Sequence, residues 1–284
     1  MDEPAQLLAA DFFLSILGLA IARTWTTDPS LATPRRKEME ALIESQHEPG
    51  NQLFIPFEIM EVEDGYTKWA PLYDTPGNWV VETEQPIVEE LVAGGPRGRA
   101  LDAACGTGRH AAHLADAGYD VVGVDTTDAM LDVARGKLPK IEFRRGRLEQ
   151  LPIEDASIDL VTCGLALEHV ADLSVVMREF ARVLKPGGWL VCSDTHPITH
   201  QIGMGAFIPT ELQFRLDLVR GHRRQVHDYL DAFTNAGLTV ERCFEPELTD
   251  EIVTHFPSYG FYPEATRRAL TGLPHLIIWR AVKA

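Results

Sequence analysis

The chain is poor in the features that mark secreted, membrane-spanning and nucleic-acid-binding proteins. It has four cysteines in 284 residues. None of Cys105, Cys163, Cys192 and Cys243 makes a CxxC pair, which argues against a disulfide scaffold or a zinc ribbon and for free, buried thiols in a reducing compartment. Long apolar runs are also missing. Residues 7–22 are apolar but broken by Asp11, and they fall short of the ~20 residues a membrane span needs. Asp2 and Glu3 precede them, where a secretory signal carries positive charge. The stretch therefore reads as a buried amphipathic or core helix. Basic charge is scarce: 26 Lys and Arg against 42 Asp and Glu, a formal net charge of −16. Such a chain repels phosphate backbones and anionic lipid. The basic clusters Arg35-Arg36-Lys37, Arg144-Arg145-Gly146-Arg147 and His222-Arg223-Arg224 are short and read as solvated surface. A cytoplasmic protein with neither a nucleic-acid nor a membrane partner is expected. There is no internal repeat, no low-complexity tract, no metal-ligand spacing of His, Asp or Glu, and no activated-serine elbow.

Hydrophobic residues make up 45% and charged residues 24%, ordinary values for a chain with a sizeable core. Residues 1–64 form an N-terminal extension with helical stretches near 5–23 and 34–46. Pro29 and Pro34 interrupt between them, Pro49-Gly50 closes the second, and 53–63 is a weak strand candidate. From residue 85 a regular alternation sets in. Strands are expected at 99–103, 120–124, 141–145, 158–162 and 188–193, and helices at 108–117, 127–136 and 172–184. Asp172 is placed to cap the last helix and Pro186-Gly187-Gly188 to end it. Such alternation implies βαβ units and a parallel sheet, which binds ligands at the carboxyl ends of its strands. After Ser193 the rhythm breaks. A lid insertion over about 194–236 ends in a helix near 223–236; a strand at 238–244, an irregular stretch to 274 and a strand at 275–282 follow. The last two strands, joined without a helical crossover, should be antiparallel.

One segment carries the chemistry: Arg99-Ala-Leu-Asp-Ala-Ala-Cys-Gly-Thr-Gly-Arg109, an apolar strand running through a glycine turn into a helix. Gly106 and Gly108 let backbone approach a ligand closely, and the helix start offers unpaired N–H groups. The next strand ends in Asp125, about 23 residues after Asp102, near the interval at which an acid holds a ribose diol. The turn also satisfies G-x-G-x-x-A, a weak dinucleotide fingerprint by itself. The acid at Asp102 and four further landmarks point elsewhere.

Residues 66–193 resemble a class I S-adenosylmethionine (SAM)-dependent methyltransferase of the ubiquinone-biosynthesis-like (type 11) group. Leu101-Asp-Ala-Ala-Cys-Gly-Thr-Gly108 resembles its first motif, and Val124-Asp125 with Met130-Leu131 its second-strand acid and following "ML". Leu148-Glu-Gln-Leu-Pro152 with Ser157-Ile-Asp-Leu-Val161 resembles the approach to strand four, and Arg182-Val-Leu-Lys-Pro-Gly-Gly188 the "LKPGG" turn. The resemblance implies an α/β, Rossmann-like, doubly wound seven-stranded sheet, mostly parallel with an antiparallel last strand. Here that sheet carries the N-terminal helical extension and the lid insertion after strand five, so the methyltransferase domain spans 65–284. It implies SAM as cofactor, S-adenosyl-L-homocysteine (SAH) as product and no metal. Ala103, Cys105, Gly106 and Gly108 would lie along the methionine moiety, Asp102 would reach its amino group, and Asp125 would accept both ribose hydroxyls. Thr126 and Met130 would flank adenine, with Leu148 and Glu149 at its edge and Leu165 near the sulfonium. Two positions depart from the pattern. Ala104 stands where the group has Gly, and Arg147 where many members have an Asp that accepts from adenine; Arg cannot accept.

On the acceptor side, Gly65-Tyr-Thr-Lys-Trp-Ala-Pro-Leu-Tyr-Asp74 resembles the group's "Y-x-x-W-A-x-x-Y-D" segment, which folds over the methionine end. Tyr66, Trp69 and Tyr73 would supply aromatic walls. His169 after strand four and His200 beyond strand five are candidate substrate contacts. His196, in Ser193-Asp-Thr-His-Pro197, is the candidate general base. The leading expectation is methyl transfer to a small-molecule acceptor, foremost a hydroxyl oxygen of a secondary metabolite. Transfer to nitrogen or carbon, a non-catalytic SAM-binding domain, an NAD-dependent oxidoreductase and a tRNA or rRNA methyltransferase are the rivals. A homodimer is the one assembly considered.

Overall fold

A computed structural model of the chain describes residues 6–48, 52–208 and 215–284. It divides into two compact units. The larger takes in Met60–Pro209, Leu218–Pro246 and His275–Ala284, and the smaller Met1–Ile59, Thr210–Asp217 and Glu247–Pro274. The helices in chain order are α1 (Ala9–Thr24), α2 (Ala32–Ser45), α3 (Val62–Trp69), α4 (Trp79–Val92), α5 (Arg109–Asp116), α6 (Asp128–Lys137), α7 (Leu173–Val183), α8 (Pro197–Gln201), α9 (Val226–Asn235), α10 (Asp250–Val253) and α11 (Pro263–Leu270).

The larger unit is built on a seven-stranded sheet. Its strands are β1 (Arg99–Ala103), β2 (Asp120–Asp125), β3 (Glu142–Arg145), β4 (Ile158–Gly164), β5 (Leu184–Thr195), β6 (Leu238–Phe244) and β7 (Leu276–Lys283). They lie in the order β3-β2-β1-β4-β5-β7-β6. The first five pair in parallel, and β7 runs antiparallel to both β5 and β6. Central strands carry apolar residues on both faces because helices cover both. Leu101, Val161 and Leu190 meet Phe180 of α7 and Phe233 of α9 on one side. Ala100, Val121 and Val191 meet Leu91 of α4, Leu114 of α5 and Leu131 of α6 on the other. The doubly wound expectation therefore holds, and chain order reverses between β1 and β4, the switch point where such sheets take their ligands.

Local differences from the sequence reading have local causes. Asp172 does cap α7, accepting from Ser174 N–H at 2.8 Å, but the helix ends at Val183 and residue 184 already belongs to β5. The ladder pairs Ile158 with Leu184 and Leu160 with Trp189, so the Lys185-Pro-Gly-Gly188 turn is looped out of the strand, with Gly187 at φ 76° as a bulge allows. Cys243 is exposed, unlike the other three thiols, because β6 is an edge strand. Helix α4 carries Pro86 in its interior and had no counterpart in the sequence reading.

In the smaller unit, α1 begins at Ala9, after a short antiparallel pairing of Gln6–Leu8 with Phe54–Pro56. Pro34 falls in the first turn of α2, where no N–H is needed, so it opens the helix instead of interrupting it. The stretch read as irregular holds α10, a 3-10 turn at Pro257–Gly260 and α11, each too short to show a period. Phe13 of α1 meets Phe261 at 4.9 Å between ring centroids and Tyr262 at 5.7 Å. Arg23 closes the end of α11 by donating to the carbonyls of Ala269 and Thr271, at 2.8 and 2.9 Å. No helix among the described residues is long and apolar enough to cross a membrane.

Candidate functional site

At the carboxyl ends of β1, β2 and β4 lies a cleft of about 830 Å³, a volume that includes space open to solvent. The sheet side is formed by Ala104, Gly106, Asp125 and Leu165, and α3 supplies Val62, Glu63 and Tyr66. The β1 strand cannot continue past Ala103, because the chain turns through Ala104 (φ 55°) and Gly106 (φ 52°). Left-handed backbone at an alanine costs about 1 kcal/mol, which is the physical reason for a glycine at such a position. A Cβ on Gly106 would meet no protein atom within 4 Å; its open side is the cleft. Leu165, at φ 55°, is a second strained residue on the cleft wall, and such strain concentrates at functional sites.

Asp125 ends β2 and is held in place by backbone. Its Oδ2 accepts the Gly106 N–H and its Oδ1 the Thr127 N–H, both at 2.8 Å. Burial pushes its pKa up against these hydrogen bonds. The Thr126 backbone and the Thr127 side chain also hydrogen-bond to it, and Asp125 lines the cleft beside Thr126, Met130, Leu148 and Glu149. This set can accept a diol and sandwich a flat ring. Arg147 lines the same end, 3.5 Å from Glu149.

The structure gathers some predicted residues and leaves others apart. Gly106, Asp125, Thr126, Met130, Leu148, Glu149, Leu165, Tyr66, Tyr73 and His169 all line the cleft. Asp102, Ala103, Cys105, Gly108, Trp69, His196 and His200 are not among the lining residues. Asp102 is 1% exposed and spends its oxygens on the fold: Oδ2 accepts Ala111 N–H at 2.8 Å, capping α5, and Oδ1 accepts the Thr162 hydroxyl at 3.1 Å. Gly108, at φ 85°, packs under Leu138, whose Cδ1 would sit 2.9 Å from an added Cβ. Trp69 stacks behind Tyr66 at 5.8 Å. His196 caps α8: its Nδ1 accepts Ile198 N–H at 3.1 Å and its Nε2 lies 2.9 Å from Glu245. With both nitrogens engaged away from the cleft, it is not placed to take an acceptor's proton. His200 lies 2.9 Å from the buried Glu168 carboxylate.

The histidine that does face the cleft is His169. Its Nδ1 is 2.7 Å from the Arg220 carbonyl, which can only accept, so Nδ1 carries the hydrogen. In the neutral ring Nε2 is then the acceptor, and the Tyr66 hydroxyl donates to it at 2.9 Å. Burial, with nearby carboxylates, raises the Tyr66 pKa well above its usual value, so the phenol keeps its proton.

Sequence reasoning missed three sets of residues. Glu84 is fully buried and accepts from Arg109 at 2.5 Å, His110 at 3.1 Å and Ser193 at 2.6 Å. Burial opposes its charge, but His110 and Arg109 prevail and hold its pKa far below the carboxylate range. A signal existed: Glu84, Val88, Leu91 and Val92 share the buried face of α4 at helical spacing. Behind the cleft, Glu168 and Asp194 form a buried carboxylate pair, and no periodicity announces them. Glu63 and Asp74 flank the α3 segment, Glu63 accepting from Thr126 and Arg145 and Asp74 from Thr107 and Lys137.

The strand order, the glycine turn and the acid at the end of β2 together make a Rossmann-like domain. Residues 101–192 match the family model Methyltransf_11, a methyltransferase domain. A demethylmenaquinone methyltransferase of Renibacterium salmoninarum is 38% identical over 143 residues, 48% of this chain and 60% of that one. A SAM-dependent methyltransferase structure from Mesorhizobium loti superposes with a TM-score of 0.54 at 25% identity, over 70% of this chain and 97% of that one. The [4+2]-cyclase SpnF shares the fold at a TM-score of 0.57 and 18% identity, over 81% of this chain and 98% of its own. The chain spans about half the length of the curated relatives it matches.

Proposed function

We propose that the protein is a SAM-dependent methyltransferase whose acceptor is a small hydroxylated aromatic compound. The observation that carries the cofactor assignment is Asp125, backbone-held at the end of β2 and lining the cleft. The residues fit the group: Asp125 would take the ribose diol, Met130 and Leu148 the adenine faces, Glu149 the adenine amino group, and backbone around Gly106 the methionine moiety. Bound there, SAM would supply an electrophilic methyl on a sulfonium. Ala103 and Cys105 would contribute backbone to that binding, while Asp102 would act through α5.

The acceptor would lie against Tyr66 and Tyr73, whose rings, 6.2 Å apart, give the cleft an aromatic wall. A hydroxyl on it would pass its proton through the Tyr66 O–H to His169 Nε2, and the imidazolium would keep its Nδ1–H on the Arg220 carbonyl. Placing the base and the hydroxyl within hydrogen-bond reach is the first requirement of such a step. Loss of the proton makes the oxygen nucleophilic and also enriches the ring carbons beside it. Oxygen is the acceptor favoured here; a ring carbon is the second reading, supported by the demethylmenaquinone methyltransferase relatives. The free cysteines favour a cytoplasmic setting.

The test combines calorimetry with SAM, SAH and NAD and an assay of labelled methyl transfer from SAM to a panel of phenols and hydroquinones. SAM and SAH binding without NAD binding, and label on a phenolic acceptor, are expected. A folded protein that ignores SAM would overturn the cofactor assignment. SAM binding with transfer only to amines would overturn the acceptor.

SpnF's fold shows that this architecture alone does not fix the reaction; the site does.

A further inference from the structure

The cleft histidine has an ionised neighbour that the proton step as described does not use. Glu168 precedes His169 in the chain, its side chain is 5% exposed, and its Oε1 lies 4.0 Å from His169 Nε2. Other elements meet both oxygens: Oε1 accepts the Thr195 hydroxyl of β5 at 2.9 Å, and Oε2 lies at ion-pair distance, 2.9 Å, from His200 of α8. The Glu168 N–H donates to Asp194 Oδ1 at 3.0 Å, and Tyr229 of α9 donates to the other Asp194 oxygen. A buried carboxylate costs several kcal/mol unless it is paired, so a chain that keeps two side by side gains something from them. Burial opposes the Glu168 charge, but His200 and His169 hold its pKa below the usual value. Asp194, by contrast, is pushed up to about 7 by burial and by Glu168. The negative charge of the pair therefore rests on Glu168, the member nearer His169.

We propose that Glu168 is a positioning residue that acts through His169: its carboxylate, met by Thr195 and His200, stabilises the imidazolium formed when His169 takes the acceptor's proton. The inference rests on the phenolic-acceptor reading above. In the step, the acceptor O–H bond breaks and its electron pair stays on oxygen. The Tyr66 hydroxyl takes that proton and gives its own to His169 Nε2, so one N–H bond forms and no oxidant or further reactant is needed. Low exposure of both side chains makes the attraction stronger than a surface pair would have. His200 partly offsets the Glu168 charge; His222 bears on His169 and Arg223 on His200, and Arg224 donates to the Leu167 and Val170 carbonyls of the same turn.

The experiment uses the full chain with SAH bound and 4-nitrophenol as the probe, because phenolate absorbance reads proton removal without turnover. Wild-type protein should increase the phenolate fraction of the bound probe at fixed mildly acidic pH, and Glu168→Gln should cut that increase on the order of tenfold, a shift of one logarithmic unit in the proton equilibrium. Glu168→Asp should restore part of it. His169→Gln should abolish it, and the double variant should lose nothing more, the non-additivity expected of groups acting as one unit. SAH affinity by calorimetry should be the same in all variants. An unchanged phenolate fraction in Glu168→Gln, or a loss that adds fully to that of His169→Gln, overturns the proposal. If Glu168→Gln does not fold, Thr195→Val, which frees the same carboxylate, takes its place beside His169→Gln; an unchanged phenolate fraction or a fully additive loss again overturns the proposal. Failure of the wild-type protein to bind 4-nitrophenol while it binds SAH overturns the acceptor class and this inference with it. Failure to bind SAH overturns the cofactor assignment instead.

Discussion

The Tyr66 hydroxyl lies 2.9 Å from His169 Nε2, joining the α3 segment to the turn after β4 directly over the cleft. Removing that oxygen tests the relay. Tyr66→Phe should lower turnover on a phenolic acceptor by roughly 10²-fold, within the span for general acid–base steps. SAM affinity should hardly change, since the ring and its stacking on Trp69 remain. A loss confined to KM, with kcat intact, would show that Tyr66 only binds the acceptor.

Gly106 and Gly108 differ in what a side chain would meet, so their variants should fail differently. Gly106→Val puts its branches into the cleft and should abolish SAM binding while the fold survives with about 1–2 kcal/mol of backbone strain. Gly108→Val drives a Cβ against Leu138 in the packed layer under α6 and should cost roughly 2–4 kcal/mol of stability through overpacking and strain. Thermal unfolding beside SAM titration separates them; equal unfolding temperatures for the two variants would contradict the packing role of Gly108.

Asp125→Asn keeps the shape but gives one position of the carboxylate a donor that faces backbone N–H groups. SAM binding should weaken by about 1.5–3 kcal/mol, the scale of hydrogen bonds to a charged acceptor. Unchanged affinity in a folded variant would remove Asp125 from the ribose site.

His275 makes stability fall in acid. It is 2% exposed, and burial, with His196 adding and the Pro246 backbone opposing, pulls its pKa down to about 4. The folded value lies below the unfolded value near 6.5, so the unfolded chain binds more protons between about pH 6.5 and 4, and stability is lost as pH falls through that window. The loss amounts to about 3 kcal/mol at most, from ~1.4 kcal/mol per unit. His275→Phe removes the titrating group and should flatten the stability profile between pH 6.5 and 4, as followed by urea unfolding. An identical slope in the variant would refute the assignment.

Deleting residues 1–59 should uncover α11, whose Ala265, Ala269 and Leu270 are buried in the smaller unit. Loss of α1 with Phe13 and Arg23 removes the aromatic and capping contacts to that helix. The shortened chain should self-associate through the exposed apolar surface, visible by light scattering; a monodisperse, fully active shortened chain would refute it.

The sequence by itself determined the sheet strands to within a few residues, the glycine turn between β1 and α5, and the acid at the end of β2. These are local: alternation, punctuation and a fixed interval along the chain express the geometry of one βαβ unit. It missed α4, α10 and α11, where Pro86 or brevity hides the period. It also favoured His196 over His169, since both follow a strand end and nothing in the neighbouring residues says which ring faces the cleft. Only the tertiary structure decided that. Tyr66 and His169 stand 103 positions apart, and Glu84 and Ser193 109. Such pairs meet because β4 lies next to β1 and β5 next to β4 in the sheet and helices return across it, an arrangement set by packing of both faces at once and not written in any one segment.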